Sequence, residues 1–465
     1  MLFSLQSSDS SRRSRRIASA SLTALFGKGT ALAVSAATIP LTVRYLGAAG
    51  YGLWITIVGA TTMFFSLDIG IATTLTNLIS EAYAANDREK AADYFVTAFW
   101  IVWGIVAVLG LLGWGVWSAI DWVSLFHVEG AGLERETPAA VAAAFIVFLL
   151  ALPTSLAQRV LGGYQELHKA NLFTAGGSLL SLAAVVAVVT FHGSLVLLVG
   201  TYAGAAVVAN AACMVWVVGF SKPWMKPWPS RIHLHLARRI FQSGFQFFAI
   251  QLAGIVVFSS DNLIISHFLS PARVTPYAVT WRLATYITAA QSLLSPSIWP
   301  AYSEAYAARH LDWIRSTYRW LRRVTLITVG VGGAIMLVAG REIIRIWAGP
   351  AAVPGQPLIV LMCVWIGIFA FATNQACLMG ATFRVGKQAL SSTIAAAVNL
   401  LLSILWVRSM GPFGVLLATV VSYLVFVVLV QAYEVHRILR GDFLPAKEGA
   451  PSISALPVAK ENDVI

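Results

Sequence analysis

Four charged residues interrupt long apolar runs, and they are the residues with which this sequence could do chemistry. Lys28, Asp68, Asp261 and Arg282 each have mainly apolar neighbours on both sides. Ionisable side chains are costly inside a membrane, and those that occur there usually line a pathway or a binding cavity. The two cations could bind an anionic group, and the two aspartates could form ion pairs with them or carry a coupling ion.

Depth along the predicted helices suggests how these charges pair. Lys28 lies about 12 Å from the start of the first predicted span, and Asp68 lies about 16 Å from the matching end of the second. These spans are antiparallel neighbours, so the two charges could neutralise one another. Asp261 falls late in one span and Arg282 early in the next, and we expect them within reach near the outer face. Buried ion pairs with a structural role only are the alternative for both pairs.

Other kinds of chemistry have no residues to support them. The sequence has no G-x-x-x-x-G-K-[ST] phosphate loop and no large soluble domain, which argues against an ATP-driven pump on this chain. No nucleophile–base constellation indicates an enzyme. The three cysteines, Cys213, Cys363 and Cys377, lie in apolar runs without metal-ligand spacing. We therefore expect no catalytic residue, no bound metal and no cofactor.

Composition indicates an all-α polytopic membrane protein. Hydrophobic residues make up 58% of the 465 residues and charged residues 11%, and the mean hydropathy is +0.76. Soluble domains carry about 25% charged residues. Windows of about 20 apolar residues predict twelve spans, at 20–41, 52–79, 94–118, 138–158, 170–191, 194–219, 241–266, 277–302, 323–340, 357–382, 388–408 and 413–434.

The distribution of cations predicts the orientation of these spans. With a cytoplasmic N-terminus, 24 of the 32 Lys and Arg residues fall on the inner side and six fall in outer loops. The positive-inside rule then places both termini in the cytoplasm. The net charge of +12 reflects this asymmetry, so we expect no nucleic-acid partner. The basic side could also contact anionic lipid head groups. Lys28 interrupts a would-be signal peptide, which favours a retained first helix.

An internal repeat divides the chain into two similar halves. The hexapeptide SEAYAA occurs at 80–85 and again at 303–308, and Lys169 and Lys387 follow similar Gly-containing segments 218 residues apart. A chance match is the alternative. The repeat predicts a six-helix lobe over 1–219 and a second over 241–435.

Two polar segments complete the predicted organisation. The basic, Pro- and Trp-containing segment 220–240 joins the lobes, as a cytoplasmic linker or as an interfacial helix. The Gly/Pro/Ala-rich segment 436–465 is expected to be a disordered cytoplasmic tail.

The run RYLGAAGYGLW, which begins at Arg44, and the segment SLDIGIATTLTNLISEAYAANDREKA, which contains Asp68, resemble the Wzx-type polysaccharide biosynthesis flippases. These belong to the superfamily of multidrug (MATE) antiporters and lipid II flippases. DNLIISHFLSPARVTPYAV, which begins at Asp261, also resembles the second-half pattern of that family. The resemblance implies a V-shaped pair of six-helix lobes around a cationic cavity in the bacterial inner membrane.

The resemblance also implies a cargo, an undecaprenyl-diphosphate-linked oligosaccharide carried from the cytoplasmic to the periplasmic leaflet. Such a flippase would serve O-antigen, exopolysaccharide or capsule synthesis, with polymerase and chain-length proteins as possible partners. Lys28, Arg282 and Arg44 would then be the cavity cations, although Arg44 could equally position its turn. A cation-coupled drug antiporter that uses Asp68, and a non-transporting scaffold of a glycan-assembly complex, remain the competing hypotheses.

Overall fold

The computed structural model describes residues 2–66, 71–233, 236, 260–307, 309–382 and 385–442. These residues form helices joined by short turns, and this part of the chain contains no strand. The predicted all-α class is therefore confirmed. The predicted tail after residue 442 and most of the predicted seventh span lie outside the described residues.

Fourteen α-helical segments follow one another along the described chain. In order they are α1 Leu2–Ser66, α2 Ile71–Ala84, α3 Arg88–Trp117, α4 Trp122–Phe126, α5 Ala131–Gly163, α6 Leu167–Thr190, α7 Leu195–Trp216, α8 at 260–268, α9 Pro271–Ala307, α10 Leu311–Ala348, α11 Gln356–Ala381, α12 Val385–Met410, α13 Pro412–Tyr423 and α14 Leu429–Arg440. Nine stretches of the described chain are long and apolar enough to cross a membrane. The protein is therefore a multi-pass membrane protein.

The first of these stretches, Phe26–Thr61, contains the predicted Gly-rich turn. Gly47 has φ of +69° and ψ of −176°, a conformation that costs glycine little and other residues much more. It divides α1 into a first arm up to Leu46 and a second arm that turns back. The turn between the first two predicted spans is therefore a single non-helical residue.

Helix direction separates the molecule into two ends. One end contains Gly47, α4 and the turns at 191–194, 269–270 and 349–355, and we call it the joined end. The basic end is the opposite one and contains the turns at 85–87, 164–166 and 309–310, together with the residues that follow α7 and α14.

Close contacts at the joined end connect the N-terminal half (α1–α7) to the C-terminal half (α8–α14). A Cβ atom at Gly52 would lie 1.7 Å from the Pro271 carbonyl oxygen, so the α1 and α9 backbones touch there. The Thr275 hydroxyl donates to the Ala48 carbonyl at 2.6 Å. Further from this end, the Tyr286 hydroxyl donates to the Ser35 Oγ at 3.1 Å. The second arm of α1 can approach α9 so closely because residue 52 has no side chain.

The repeated hexapeptide makes the same contact in both halves. Ser80, the first residue of the first copy, donates to the Gly163 carbonyl at the end of α5 at 3.3 Å. Ser303, the first residue of the second copy, donates to the Ala381 carbonyl at the end of α11 at 3.0 Å. The two acceptors are 218 residues apart in the sequence, which is the offset found for the lysines. The sequence repeat thus corresponds to a repeated helix–helix contact, while the lobe boundaries stay a prediction.

The two lysines of the repeat also occupy corresponding places, but they contact different partners. The Lys169 Nζ lies over the Trp216 ring, 5.0 Å from its centroid, and 3.3 Å from the Glu166 Oε1 of the preceding turn. The Lys387 Nζ lies 2.6 Å from the Glu434 Oε1, and Glu434 is 1% exposed. Trp216 and Glu434 are again 218 positions apart. Each lysine therefore reaches from one helix to the corresponding residue of its neighbour.

The first part of the predicted linker packs against the N-terminal half. The buried Lys222 ammonium forms an ion pair with Glu166 at 2.9 Å. Burial alone would raise the pKa of Glu166, but the hydrogen bond from Lys222 and the charges of Lys222 and Lys169 outweigh it and hold that pKa below its usual value. The Trp100 indole donates to the Pro227 carbonyl at 3.2 Å. Up to His233 the chain here forms only short helical turns, which favours the linker interpretation over an interfacial helix.

Candidate functional site

Arg282 lies on α9, where that helix faces the N-terminal half. Its charge is within electrostatic range of the hydroxyls of Tyr51 and Tyr202 from the N-terminal half and of Tyr286 one turn along α9. The described residues provide no carboxylate within salt-bridge distance of its guanidinium. A partly exposed arginine among tyrosines at the boundary of two halves is a candidate site for an anionic ligand.

Aromatic side chains surround this arginine. Tyr51 and Trp54 are each 1% exposed, and the rings of Trp54 and Tyr202 meet edge to face with centroids 5.1 Å apart. The Trp54 Nε1 is a buried donor that has no hydrogen-bond acceptor within the described part of the chain. The region thus combines a cation, several hydroxyls and one buried N–H that has no acceptor among the described residues.

Lys28 lies on the same side of the molecule, further towards the basic end. It is seven residues before Ser35 on α1, which corresponds to about 10 Å along the helix. Its side chain is exposed, and the neighbouring Gly27 faces the Asn171 carbonyl of α6. Its predicted partner Asp68 lies outside the described residues, so that ion pair stays a prediction. Lys28 and Arg282 stand at successive depths on α1 and α9.

Arg44 occupies a different place from the other two predicted cations. Its Nη2 donates to the Ile346 carbonyl at the end of α10 at 3.1 Å, and its side chain is exposed at the joined end. The contact connects the two halves. The contact uses one donor of the Arg44 guanidinium, and the role of Arg44 as a cavity cation stays a prediction.

Asp261 does not pair with Arg282, which corrects the expectation from depth. Asp261 is 3% exposed, and its Oδ2 accepts a hydrogen bond from the hydroxyl of the buried Tyr277. Tyr277 and Arg282 are five residues apart on α9, and at about 100° per residue they point to faces roughly 140° apart. Asp261 packs on the Tyr277 face, so the arginine points away from it. Depth alone could not reveal this difference in helix face.

Buried oxygen atoms cluster around Asp261. The Thr419 hydroxyl of α13 is within hydrogen-bonding reach of the Asp261 carboxylate, and it also accepts from the Asn399 Nδ2 at 2.9 Å. Asn399 and Ser403, one turn apart on α12, are 0% exposed. The Asp261 Oδ1, the Asn399 Oδ1 and the Ser403 Oγ have no hydrogen-bond partner among the described residues. Buried oxygens without a donor are costly, so the cluster is suited to a proton or a small cation.

A proline on α1 explains one of the contacts between the halves. Proline has no N–H, so Pro40 cannot donate to the Ala36 carbonyl four residues earlier in the helix. The Trp347 indole of α10 donates to that carbonyl at 2.8 Å. The C-terminal half therefore supplies the hydrogen bond that Pro40 removes from the N-terminal half.

A second feature of the joined end is a cavity of about 710 Å³ between the two halves. Its walls are mainly apolar and come from α1, α3, α4, α5, α8 and α12, with residues such as Leu112, Phe145 and Ile264. His267 is one of its few polar lining residues, and the Nδ1 of its ring lies 2.8 Å from the Leu125 carbonyl. The cavity is suited to hydrocarbon.

Several of these residues were not predicted from the sequence. Tyr202 and Trp54 are aromatic residues in apolar runs, which is also what lipid-facing or core residues look like. Asn399 did carry a signal, because an amide inside an apolar span needs a polar partner. Trp347 carried none, since its role depends on a proline more than 300 residues away.

Comparison with known proteins agrees with this architecture. A Salmonella typhi protein described as a "Putative O-antigen transporter" is 22% identical over 317 residues, which cover 66% of this chain and 68% of that protein. An inward-facing multidrug resistance MATE family transporter superposes with a TM-score of 0.73 at 13% identity, covering 89% of this chain and 95% of that one. The lipid II flippase MurJ, in an inward closed conformation, superposes with a TM-score of 0.68 at 13% identity, covering 90% and 87%.

The likeness to the two solved structures establishes the fold, and it confirms the predicted MATE-like architecture. The sequence itself gives the family. The family model described as "Polysaccharide biosynthesis protein" matches residues 19–306, well over half of the chain. The protein is thus a member of the polysaccharide biosynthesis protein family.

Proposed function

We propose that this protein is a flippase for undecaprenyl-diphosphate-linked oligosaccharides, which it moves from the cytoplasmic to the periplasmic leaflet of the bacterial inner membrane. The observation that carries the proposal is Arg282, a cation without a carboxylate partner among the described residues, set among tyrosines between the two halves. The family and the O-antigen transporter relative support a glycan cargo. The likeness to a lipid II flippase shows that this fold can host such a reaction.

The chemistry of the cargo explains why cations are needed at two depths. A diphosphate carries about two negative charges, which hydrocarbon cannot solvate. Lys28 meets it nearer the basic end, and Arg282, one turn beyond the contact of Tyr286 with Ser35, receives it about 16 Å further along. Charge-assisted hydrogen bonds to phosphate contribute about 1.5–3 kcal/mol each. The diphosphate therefore passes from one cation to the next and does not enter hydrocarbon without a counter-charge.

The orientation of the molecule completes this path. The basic end is the cytoplasmic end on the positive-inside rule, and the halves are joined at the other end by contacts such as Gly52 with Pro271. The protein would therefore load cargo from the cytoplasm in this conformation. The apolar cavity of about 710 Å³ at the joined end offers room for part of an isoprenoid chain.

Coupling is assigned to Asp261 in this scheme. A proton on Asp261, or a sodium ion beside it, would satisfy its Oδ1, which has no partner among the described residues, and the Asn399 Oδ1 and Ser403 Oγ are candidates for further ligands of a sodium ion. Binding or release of that cation changes the charge next to Tyr277 on α9, the helix that also carries Arg282. Asp261→Asn would then make export independent of the cation gradient, and loss of the gradient would no longer slow it. Unchanged gradient dependence in Asp261→Asn would remove Asp261 from the coupling role.

The test of the cargo assignment is complementation of a flippase-null strain, with protein levels in the membrane measured in parallel. Lys28→Ala and Arg282→Ala should abolish glycan export, and Lys28→Arg should retain part of it because the charge is kept. Arg341→Ala, which removes an exposed arginine from α10 at the joined end, is the matched control and should export normally.

The competing hypotheses predict other outcomes of the same experiment. Full export by both Lys28→Ala and Arg282→Ala would favour a scaffold that does not touch the cargo. Drug resistance that depends on Arg282, together with no complementation by the wild-type chain, would favour an antiporter. Either result would overturn the proposed function.

A further inference from the structure

A second cavity, of about 410 Å³, lies inside the N-terminal half between the second arm of α1, α5, α6 and α7. Pockets for small ligands usually have volumes of about 300–1,000 Å³. Half of the residues that line this cavity are polar, which is unusual within a bundle of apolar spans, and none of these lining residues is acidic. The cavity is therefore suited to a neutral or anionic polar ligand rather than to a lipid chain or a metal cation.

An amide pair crosses the cavity wall and connects three helices. The Gln158 Nε2 of α5 donates to the Asn210 Oδ1 of α7 at 2.6 Å and to the Thr174 Oγ1 of α6 at 3.3 Å. Each side-chain amide has one carbonyl and two N–H donors. The pair therefore retains the Gln158 carbonyl as an acceptor and the Asn210 amino group as a donor.

The hydroxyl groups of the wall offer acceptors. The Thr174 hydroxyl donates to the Ala170 carbonyl at 3.1 Å, and the Ser178 and Ser181 hydroxyls donate to carbonyls of the same helix at 3.1 and 2.7 Å. Because each hydroxyl has one proton and two lone pairs, these oxygens can still accept. The wall thus presents donors and acceptors side by side, as the hydroxyls of a sugar require.

Two aromatic rings, Phe148 and Tyr202, also line the cavity. An aromatic face offers an apolar surface, and one face of a pyranose ring carries only C–H groups. A drug-like apolar ligand would leave the amides without partners. A free phosphate could pair with Arg159, which also lines the cavity, but it would use few of the hydroxyls. A carbohydrate is the ligand class that matches amides, hydroxyls and rings together.

Tyr202 connects this cavity to the candidate phosphate site. It lines the cavity, it is within electrostatic range of Arg282, and its ring meets Trp54. In a diphosphate-linked glycan, the first sugar is bonded directly to the phosphate. Resting on the proposed function, we infer that this cavity binds the sugar unit next to the diphosphate while Arg282 binds the diphosphate. The cavity would then be the place where the protein recognises the glycan itself.

The test uses the full chain in lipid nanodiscs and two water-soluble probes measured by calorimetry. One probe is a short-chain polyprenyl diphosphate, and the other is the same diphosphate bonded to one N-acetylhexosamine. We expect the glycosylated probe to bind at least tenfold more tightly than the bare probe. Gln158→Leu should remove that difference and leave the affinity for the bare probe unchanged.

Two further variants separate loss of a ligand contact from loss of folding. Ala206→Phe places a ring in the cavity without removing a polar group and should have the same effect as Gln158→Leu. Gln356→Leu, the same chemical change at an exposed position at the start of α11, should bind both probes as the wild type does. Thermal unfolding of each variant shows that the fold is retained.

The possible results separate this inference from the proposed function. Equal affinity of the wild type for the two probes would overturn the sugar site and leave the diphosphate site intact. A sugar preference that survives in both Gln158→Leu and Ala206→Phe would place the sugar elsewhere and overturn the inference as well. If neither probe binds the wild type, the proposed function fails together with the inference.

Discussion

The hydrogen bond from Trp347 to the Ala36 carbonyl gives a quantitative prediction about the joined end. Trp347→Phe keeps an aromatic ring but removes the donor, so the carbonyl that Pro40 leaves without its helical partner has no donor at all. A polar group left without a partner costs about 1–3 kcal/mol. A free energy of about 1.4 kcal/mol corresponds to a factor of ten in an equilibrium constant. The ratio of molecules whose halves are in contact at this end to molecules whose halves are separated there should therefore fall about 5- to 150-fold.

Pro40→Ala supplies the reference that isolates this effect. Alanine at position 40 restores an N–H to the Ala36 carbonyl, so removal of the indole then costs only the net value of a hydrogen bond, about 0.5–1.5 kcal/mol. Trp347→Phe should therefore be milder in the Pro40→Ala background than in the wild type. The two substitutions should be coupled, although they lie in different halves of the chain.

The measurement is a distance distribution between spin labels on the two halves at the joined end. Labels at Glu129→Cys and Arg273→Cys, both exposed, would be introduced after the three native cysteines are replaced by alanine. Trp347→Phe should add a population at longer distance, and Pro40→Ala with Trp347→Phe should add less. Trp114→Phe, at a residue that is 84% exposed, is the matched control.

Either of two results would refute this reasoning. One is a distance distribution for Trp347→Phe that equals that of Trp114→Phe. The other is a Pro40→Ala, Trp347→Phe variant that separates as much as the single variant.

Three other predictions concern the joined end, the linker and the orientation. Gly52→Ala forces a Cβ against the Pro271 carbonyl, so it should separate the same spin labels and reduce export, whereas Gly59→Ala, with its nearest contact at 3.9 Å, should do neither. Glu166→Gln should lower the melting temperature at pH 7 by a few degrees. The lowered pKa of Glu166 means that the Lys222 ion pair stabilises the fold above the usual pKa of glutamate and is lost as the pH falls through the folded value. This difference should therefore shrink as the pH is lowered below the usual pKa of glutamate, and a constant difference would contradict it. A reporter that is active only in the cytoplasm should work when fused after Asn86 and fail in the 119–137 loop, and activity in that loop would overturn the orientation.

Much of the fold could be predicted because membranes impose simple rules. Apolar runs of about 20 residues gave the helices, and their lengths exceed the predicted spans because amphipathic ends continue past the hydrocarbon, as in α3 and α10. The Gly-rich turn was recognised, and Gly47 is the residue that breaks α1. The repeat was visible because the hexapeptide SEAYAA is identical in both halves, and its serine makes the same contact twice.

The site was harder to predict than the fold, for a physical reason. Depth follows from counting residues, but the partner of a charge depends on which face of the helix it occupies and on how the helices pack. Asp261 and Arg282 were predicted at similar depths, yet the 140° between Tyr277 and Arg282 separates them. The amide pair of Gln158 and Asn210 could not be predicted as a pair, because 52 residues separate its members.

Lys169 and Lys387 occupy corresponding positions of the two halves but have different surroundings. In terms of descent, a duplication would give both halves the same lysine and the same neighbouring helix, and the corresponding residue of that helix is a tryptophan in one half and a glutamate in the other. A ring holds the ammonium at any pH, whereas a carboxylate holds it only while ionised. The lysine is therefore present in both halves although the groups that attract it differ, because Lys169 has the Trp216 ring as well as Glu166, and Lys387 has the buried Glu434.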